Sequence, residues 1–347
     1  MKNLLAYYDP NFTTKLEDAP VPEHGADEVL IKVVAAGSNP KDWKHPMPNY
    51  FNNKLNQGDD VGGIVEAVGS KVKNFHKGDR VAGFHEMDTP RGAYAEYTVC
   101  PENTVFHIPE SMSFEEASTM PLAIFTAAVG LYRNLNLPMP FGRSDDHSPQ
   151  EKTPLIVNAA SSAVGAFAVK LAKLNPIISP VIGIAGGSAA YAKEVGCDIV
   201  VDYRTDNVAD QLKQALGGKK CRHIFDASNS ITSVNYLIPV LERDGIYTST
   251  TGLKVNGQDE ALQKAGVWHE QIWVGSVHES KLAGGKMFGA VMSQVFEWAI
   301  EEGRLNGHPY ETVEGGLDGV YAALVKLRDR KGGNAKFVTR IADTKGL

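Results

Sequence analysis

The residues best placed to do chemistry lie in AASSAVG, Ala159 to Gly165, within LIVNAASSAVGAFAVKLAKLN (Leu155 to Asn175). Small side chains at Ser161, Ser162 and Ala163, with Val164 next, leave backbone amides open. If a helix starts there, those amides and the positive end of its dipole can receive a phosphate. The expected chemistry is therefore capture of a dinucleotide's pyrophosphate. The fingerprint G-x-G-x-x-G falls on Ala160, Ser162 and Gly165, so the third glycine, which permits close packing of helix on strand, is the one present.

Such a turn works only between a strand and a helix, and the flanking pattern supplies both. Leu155 onward is an apolar run of strand length, and Val164, Phe167, Ala168, Leu171 and Ala172 recur on one helical face. Further βα units are expected downstream. Strands are predicted at Val181 to Gly186, Asp198 to Tyr203, His223 to Ser228, Gly245 to Gly252 and Gln271 to Val277, with NPIISP (Asn175 to Pro180) a lengthened loop before the first of them. Strands separated by helical segments predict a doubly wound parallel sheet, an α/β fold. Ligands of such sheets bind at strand ends, which brings in Ser228 and Thr250.

Before this region the chain is β-rich. Alternation in EVLIKVVAAG (Glu28 to Gly37) and glycine-bounded segments at Gly62 to Gly69, Gly78 to Phe84 and Gly92 to Val99 predict strands. Ser113 followed by Glu116 is a capping-box pattern opening a helix through PLAIFTAAVGLY. Leu137 to Pro154, rich in proline and charge, is a loop. Phe288, Val291, Met292, Val295, Phe296 and Ala299 predict a late core-facing helix.

The chain has 347 residues, 43% hydrophobic and 22% charged, with a formal net charge of -6. That allows two domains and argues against disorder. Lys and Arg form no long run, so nucleic acid is not favoured as a partner. Three separated cysteines make no disulfide framework and no zinc ribbon. With no apolar stretch of signal or membrane length, a cytoplasmic protein is expected.

The blocks AAGSNPKDWK, GDDVGGIVEAVG, GDRVAGF, GAYAEY and EEAST occur in that order. The chain thereby resembles the medium-chain dehydrogenase/reductase superfamily. The resemblance implies a GroES-like β-rich catalytic domain, residues 1–126 with 284–347, and a Rossmann cofactor domain, 127–283. Many members are zinc alcohol dehydrogenases. Their catalytic site uses a Cys three residues before the Asp that aligns with Asp42 and a His-Glu pair after the Gly that aligns with Gly58. Here those positions hold Asn39, Asp59 and Asp60, so the thiolate and imidazole ligands are absent. Of the four cysteines of the structural zinc lobe only Cys100 is present. No metal is expected.

The zinc-free branch contains quinone oxidoreductases and enoyl reductases. Ser38, Asn39, Pro40 and Asp42 match its NPxD block, and the SSxVG turn followed by AVKLAK is similar to that of fungal trans-acting enoyl reductases, which partner polyketide synthases. At the end of the second strand stand Gly186, Gly187 and Ser188, where an NAD enzyme would hold an acid. Lys193, Tyr203 and Arg204 match positions that contact the 2'-phosphate in the family, so NADPH is the expected cofactor. The resemblance adds Asn39 near the nicotinamide, Thr126 at the domain crossover, and Asn334 and Lys336 in the final block. Tyr50 matches a tyrosine of related reductases and is a candidate proton donor or carbonyl anchor; Lys44 is a candidate donor to an enolate. His45 and His278 rank below them.

The implied reaction is hydride transfer from NADPH to the β-carbon of an enone or enoyl thioester, or to a quinone. A zinc-independent alcohol or carbonyl dehydrogenase and a non-catalytic NADPH-binding sensor stay open. So do a carrier protein or polyketide synthase as partner, and a monomer or a homodimer extended through the edge around Ile272 to Val277.

Overall fold

The computed structural model describes residues 1–141, 152–228, 230–252, 257–279, 284–329, 331 and 333–347. Most of the proline- and charge-rich loop expected before Leu155 lies outside these residues. The backbone divides into two compact units, Met1–Leu122 with Gly275–Leu347, and Ala123–Val274.

The strands of the chain are β1 (Lys2–Tyr8), β2 (Phe12–Asp18), β3 (Glu28–Gly37), β4 (Asp60–Val68), β5 (Arg80–Phe84), β6 (Tyr97–Pro101), β7 (Val105–His107), β8 (Thr153–Asn158), β9 (Ile178–Ala185), β10 (Ile199–Asp202), β11 (Cys221–Asp226), β12 (Leu241–Ser249), β13 (Trp268–Gln271), β14 (Tyr310–Val313) and β15 (Lys336–Arg340).

In the first unit β1 and β2 form a hairpin, and a seven-stranded sheet runs β14-β15-β3-β4-β5-β7 with β6 also pairing β3. Val29, Ile31 and Val33 on β3, Val61 and Val65 on β4 and Val81 on β5 pack with Leu317, Leu324 and Ile341 from the end of the chain. The core of this unit is thus assembled from both ends of the sequence. The helix Gly285–Glu301 buries Met292, Val295, Phe296 and Ala299 of the expected stripe, while Phe288 is half-buried and Val291 is exposed.

The second unit is a six-stranded sheet, β10-β9-β8-β11-β12-β13, parallel throughout. Counted from β8, that is the 3-2-1-4-5-6 order of a Rossmann fold. Sequence order reverses between β8 and β11, and the crevice at that switch point is where such sheets bind ligands. Ile156, Ile182, Ile224 and Tyr247 supply its core with Leu212, Leu237 and Leu262 from the helices.

Three expectations need correction. The sixth strand is Trp268–Gln271, while Val274–Val277 is a 3-10 turn. The apolar run is apolar because Ile272, Val274 and Val277 are buried, and the paired edge strand before it is largely exposed. The edge strand on that side of the sheet is therefore Trp268–Gln271, with β10 at the opposite edge. The second strand begins at Ile178, inside the expected loop. Ser113 does cap a helix, its hydroxyl accepting the Glu116 amide, but that helix ends at Ala117 and a new one runs Pro121–Ala128. The reciprocal half of the capping box is missing because the Glu116 carboxylate accepts the Gly307 amide at 2.9 Å instead.

Candidate active site

In the second unit the phosphate turn has the expected form. β8 ends at Asn158, Ala159 takes a left-handed φ of 57°, and the helix Ala163–Lys173 begins after Ser162. The Ser162 hydroxyl accepts the Gly165 amide at 3.2 Å and donates to the Ala159 carbonyl at 2.8 Å. The Ala163 and Val164 amides, at the head of the helix, meet no acceptor among the described residues. They are the orphan donors that an anion would satisfy. Gly165 is required there: a Cβ would stand 2.2 Å from the Ala159 carbonyl oxygen. Ser161 lies half-buried on the same turn.

Gly186, Gly187 and Ser188 follow β9, next to the turn, and the Ala160 amide donates to the Ile184 carbonyl at 3.0 Å. Tyr203 stacks its ring edge against Gly186, 2.8 Å from where a Cβ would be, and Arg204 Nη1 is the atom nearest the Cβ position of Gly187, at 3.9 Å. Lys193 is exposed on the following helix, Ala189–Glu194. Arg204 is not a free cation: its guanidinium grips Asp202 through Nε at 2.9 and 3.1 Å and Nη2 at 2.6 Å. The guanidinium beside it holds the Asp202 carboxyl down at about 2. Ser228 and Thr250 stand beyond β11 and β12; the Ser228 hydroxyl accepts from Asn158 Nδ2 at 3.0 Å and the Thr250 amide donates to the Asp226 carbonyl at 3.1 Å. Thr126 is buried on the helix Pro121–Ala128. Orphan amides at the head of the helix fit the pyrophosphate of a nicotinamide dinucleotide, and no acid stands at the end of β9.

In the first unit the sequence residues around Asn39 come together in two buried charge clusters. Asp60, fully buried, accepts from Asn39 Nδ2 at 2.7 Å and the Leu122 amide at 2.5 Å and pairs with the Lys336 ammonium. Lys336 also donates to the Thr119 carbonyl at 3.1 Å. The lysine offered as a cofactor contact thus has its ammonium on Asp60. Asn334 presents its carbonyl to His308 Nε2 at 2.5 Å.

The second cluster holds Lys41, whose ammonium lies 2.6 Å from Asp59, 3.3 Å from Asp42 and 2.7 Å from the Gln57 carbonyl. His85 Nδ1 meets Asp59 at 3.0 Å, and Asp42 accepts from the Tyr94 hydroxyl at 2.7 Å and the Asn39 amide at 2.8 Å. Burial raises the Asp42 carboxyl to about 6 against the pull of Lys41. Burial also opposes the charge on Asp59, but Lys41 and then His85 hold its carboxyl below the ordinary range. Asp59 and Asp60, adjacent in sequence, are each matched by an ammonium of the same chain. Among the described residues no group of three or more His, Cys, Asp or Glu side chains could hold a metal ion.

Lys44 closes the short helix Lys41–Lys44, with its ammonium 5.5 Å from the Trp43 ring centre. Tyr50 sits in the following turn, 52% exposed, its amide donating to the Met47 carbonyl at 3.0 Å. His45 Nδ1 meets Asp88 at 2.9 Å. His278 is buried against Phe84, and desolvation takes its imidazole down to about 4. Sequence reading missed Lys41, His85 and Tyr94. The run Lys41-Asp42 and the Asp59-Asp60 pair were the available signals, since acids bound for a core need cations.

Comparison with known proteins agrees with this arrangement. The alcohol dehydrogenase GroES-like domain matches residues 25–110 and the zinc-binding dehydrogenase domain residues 163–291. The chain is 39% identical to the trans-enoyl reductase fsr4 of Gibberella fujikuroi, over 86% of this chain and 87% of that one. It is 30% identical to the trans-enoyl reductase resD of Aspergillus sclerotiorum, over 96% and 98%. Among solved structures, an alcohol dehydrogenase superfamily protein from Novosphingobium aromaticivorans superposes with a TM-score of 0.78 at 18% identity, covering 98% of this chain and 99% of that one. The CurK enoyl reductase gives 0.76 at 20%, covering 97% and 98%. On its blocks, its two folds and this near full-length identity, the chain belongs to the medium-chain dehydrogenase/reductase superfamily, in the group of the fungal trans-enoyl reductases.

Proposed function

We propose that this protein reduces the carbon-carbon double bond of an enoyl thioester with NADPH and without a metal. The observation that carries the reading is the 39% identity to a trans-enoyl reductase along 86% of the chain. NADPH rather than NADH is supported by Gly186, Gly187 and Ser188 at the end of β9, with Lys193 and Arg204 exposed beside them. Ser161 to Val164 would hold the pyrophosphate; Gly187, Ser188, Lys193, Tyr203 and Arg204 the adenosine end; Thr126, Ser228, Thr250, Asn39 and Asn334 the remainder. Bound there, NADPH supplies the hydride.

The chain's own residues have the complementary task. Reduction at the β-carbon leaves negative charge on the thioester oxygen and calls for a proton at the α-carbon. Tyr50, with an exposed phenol, is proposed as proton donor or carbonyl anchor, and the Lys44 ammonium as donor to the enolate oxygen. Asn39 and Lys336 act through Asp60, which both contact. One relative is named the enoyl reductase component of the lovastatin nonaketide synthase of Aspergillus terreus. By that likeness the acyl chain here is presented on the carrier protein of a polyketide synthase.

The test is cofactor oxidation by the purified protein across enoyl thioesters, enones, quinones and alcohols, with elemental analysis of the same sample. Turnover of enoyl thioesters with NADPH by metal-free protein is expected. NADPH binding with no turnover of any of them would favour a sensor, and stoichiometric zinc would sink the metal-free chemistry.

A further inference from the structure

Asp226, at the carboxyl end of β11, is 1% exposed and has no cation among its described partners. Four donors converge on it instead. One oxygen accepts from Asn158 Nδ2 at 2.9 Å and the Ser228 amide at 2.8 Å; the other accepts from the Ser233 hydroxyl at 2.6 Å and the Tyr247 hydroxyl at 2.5 Å. Gln258, also buried, extends the network with a donation to Ser233 at 3.2 Å. Burial and then the Asp226 charge keep the Tyr247 phenol protonated, well above its ordinary range.

Asn158 ends β8, and β8 and β11 are the neighbours between which strand order reverses. A carboxylate can only accept, so the end of the Asn158 amide facing it must be the NH2. That fixes the other end: Asn158 Oδ1 accepts the Ala159 amide at 3.1 Å. Ala159 is the left-handed residue that opens the phosphate turn, and its carbonyl anchors Ser162 through the amide at 2.9 Å and the hydroxyl at 2.8 Å. Asn158 Nδ2 also reaches the Ser228 hydroxyl at 3.0 Å.

We infer that Asp226 is a positioning residue for the cofactor: by setting the orientation of Asn158 it locks the phosphate turn and the Ser228 turn into one frame across the switch point. It touches no cofactor atom itself. The inference rests on the nicotinamide-cofactor reading above.

The experiment measures NADPH affinity by titration, and KM and kcat, for the wild type, Asp226→Ala, Asp226→Asn, Asn158→Ala and the double alanine variant. Asp226→Ala and Asn158→Ala should each weaken NADPH binding about tenfold or more, the scale of a charge-assisted hydrogen bond. KM for NADPH should move more than kcat at saturating cofactor, and the double variant should bind no worse than the weaker single one. Asp226→Asn, which keeps an oxygen for Asn158 and Ser228, should recover part of the loss. Additive effects, or unchanged affinity in folded variants, would overturn the inference. If Asp226→Ala does not fold, Asn158→Ala and Asp226→Asn decide it alone. A wild type that binds neither NADPH nor NADH would remove the underlying reading as well; a wild type that binds while the variants match it removes only the role of Asp226.

Discussion

Lys41 places its ammonium 2.6 Å from Asp59 with both side chains almost wholly out of solvent. A pair in such a setting gains strongly from proximity, yet each partner alone would be a buried charge without compensation. Asp42, 3.3 Å from the same ammonium, makes Lys41 a cation shared by two acids of this cluster. Removing it should therefore cost at the upper end of what broken buried pairs cost. Lys41→Met is expected to lose about 3–5 kcal/mol of stability by urea denaturation, and adding Asp59→Asn to it should recover part of that loss. Equal stability of wild type and Lys41→Met would show that the cluster is hydrated.

Asp42 gives this unit a pH dependence of defined sign. Its carboxyl is raised to about 6, so between about pH 4 and 6 the folded protein holds a proton there that the unfolded chain has released. The stabilisation is complete below the unfolded value and is lost as pH rises through 6. Asp59 is shifted the other way, and its contribution fades only as pH falls below the ordinary carboxylate range. Relative to Asp42→Asn, which cannot titrate, the wild type should lose up to about 3 kcal/mol between pH 4 and 7. Denaturant titrations of both proteins at three pH values measure it, and a constant difference would contradict the assignment.

Cofactor choice can be tested by supplying the missing acid. Gly187 has an unstrained backbone, and the atom nearest its Cβ position is Arg204 Nη1 at 3.9 Å, so an aspartate fits there. Gly187→Asp should lower the ratio of kcat/KM for NADPH over NADH by about a hundredfold, some 3 kcal/mol of discrimination. Lys193→Glu should raise the KM for NADPH far more than that for NADH. A wild type that uses NADH as efficiently as NADPH would overturn the preference before any variant is made.

For the chemical step, Tyr50→Phe and Lys44→Ala are each expected to lower kcat with an enoyl thioester about 10²-fold, the scale of a lost general acid or oxyanion donor. Steady-state rates at saturating NADPH measure this. Full activity in both variants would leave protonation to solvent.

The fold was legible because its signals are local. The strand, turn and helix of Leu155 to Lys173 follow from small residues between two apolar patterns, and the parallel sheet follows from repeated βα alternation. The edge strand was misplaced because Trp268, His269, Glu270 and Gln271 are polar or exposed, whereas the apolar Val274 and Val277 after them are buried in a 3-10 turn. In the candidate site, Asn39 and the phosphate turn were readable from type and position. The partner of Lys336 was not, because Asp60 lies 276 residues away and no local pattern links them. Arg204 was read as an open cation, and the carboxylate two residues before it, already holding it, was overlooked.

The Lys336 to Asp60 pair also bears on how the polypeptide is made. β4 carries an acid whose cation is synthesised 276 residues later, on the strand that pairs with β3. Until that strand is released, the seven-stranded sheet holds an unmatched charge and an open edge at β3, whereas the dinucleotide unit, Ala123–Val274, is contiguous and precedes it. A nascent chain should therefore complete its dinucleotide unit first, and the unit around Asp60 only once β15 has left the tunnel.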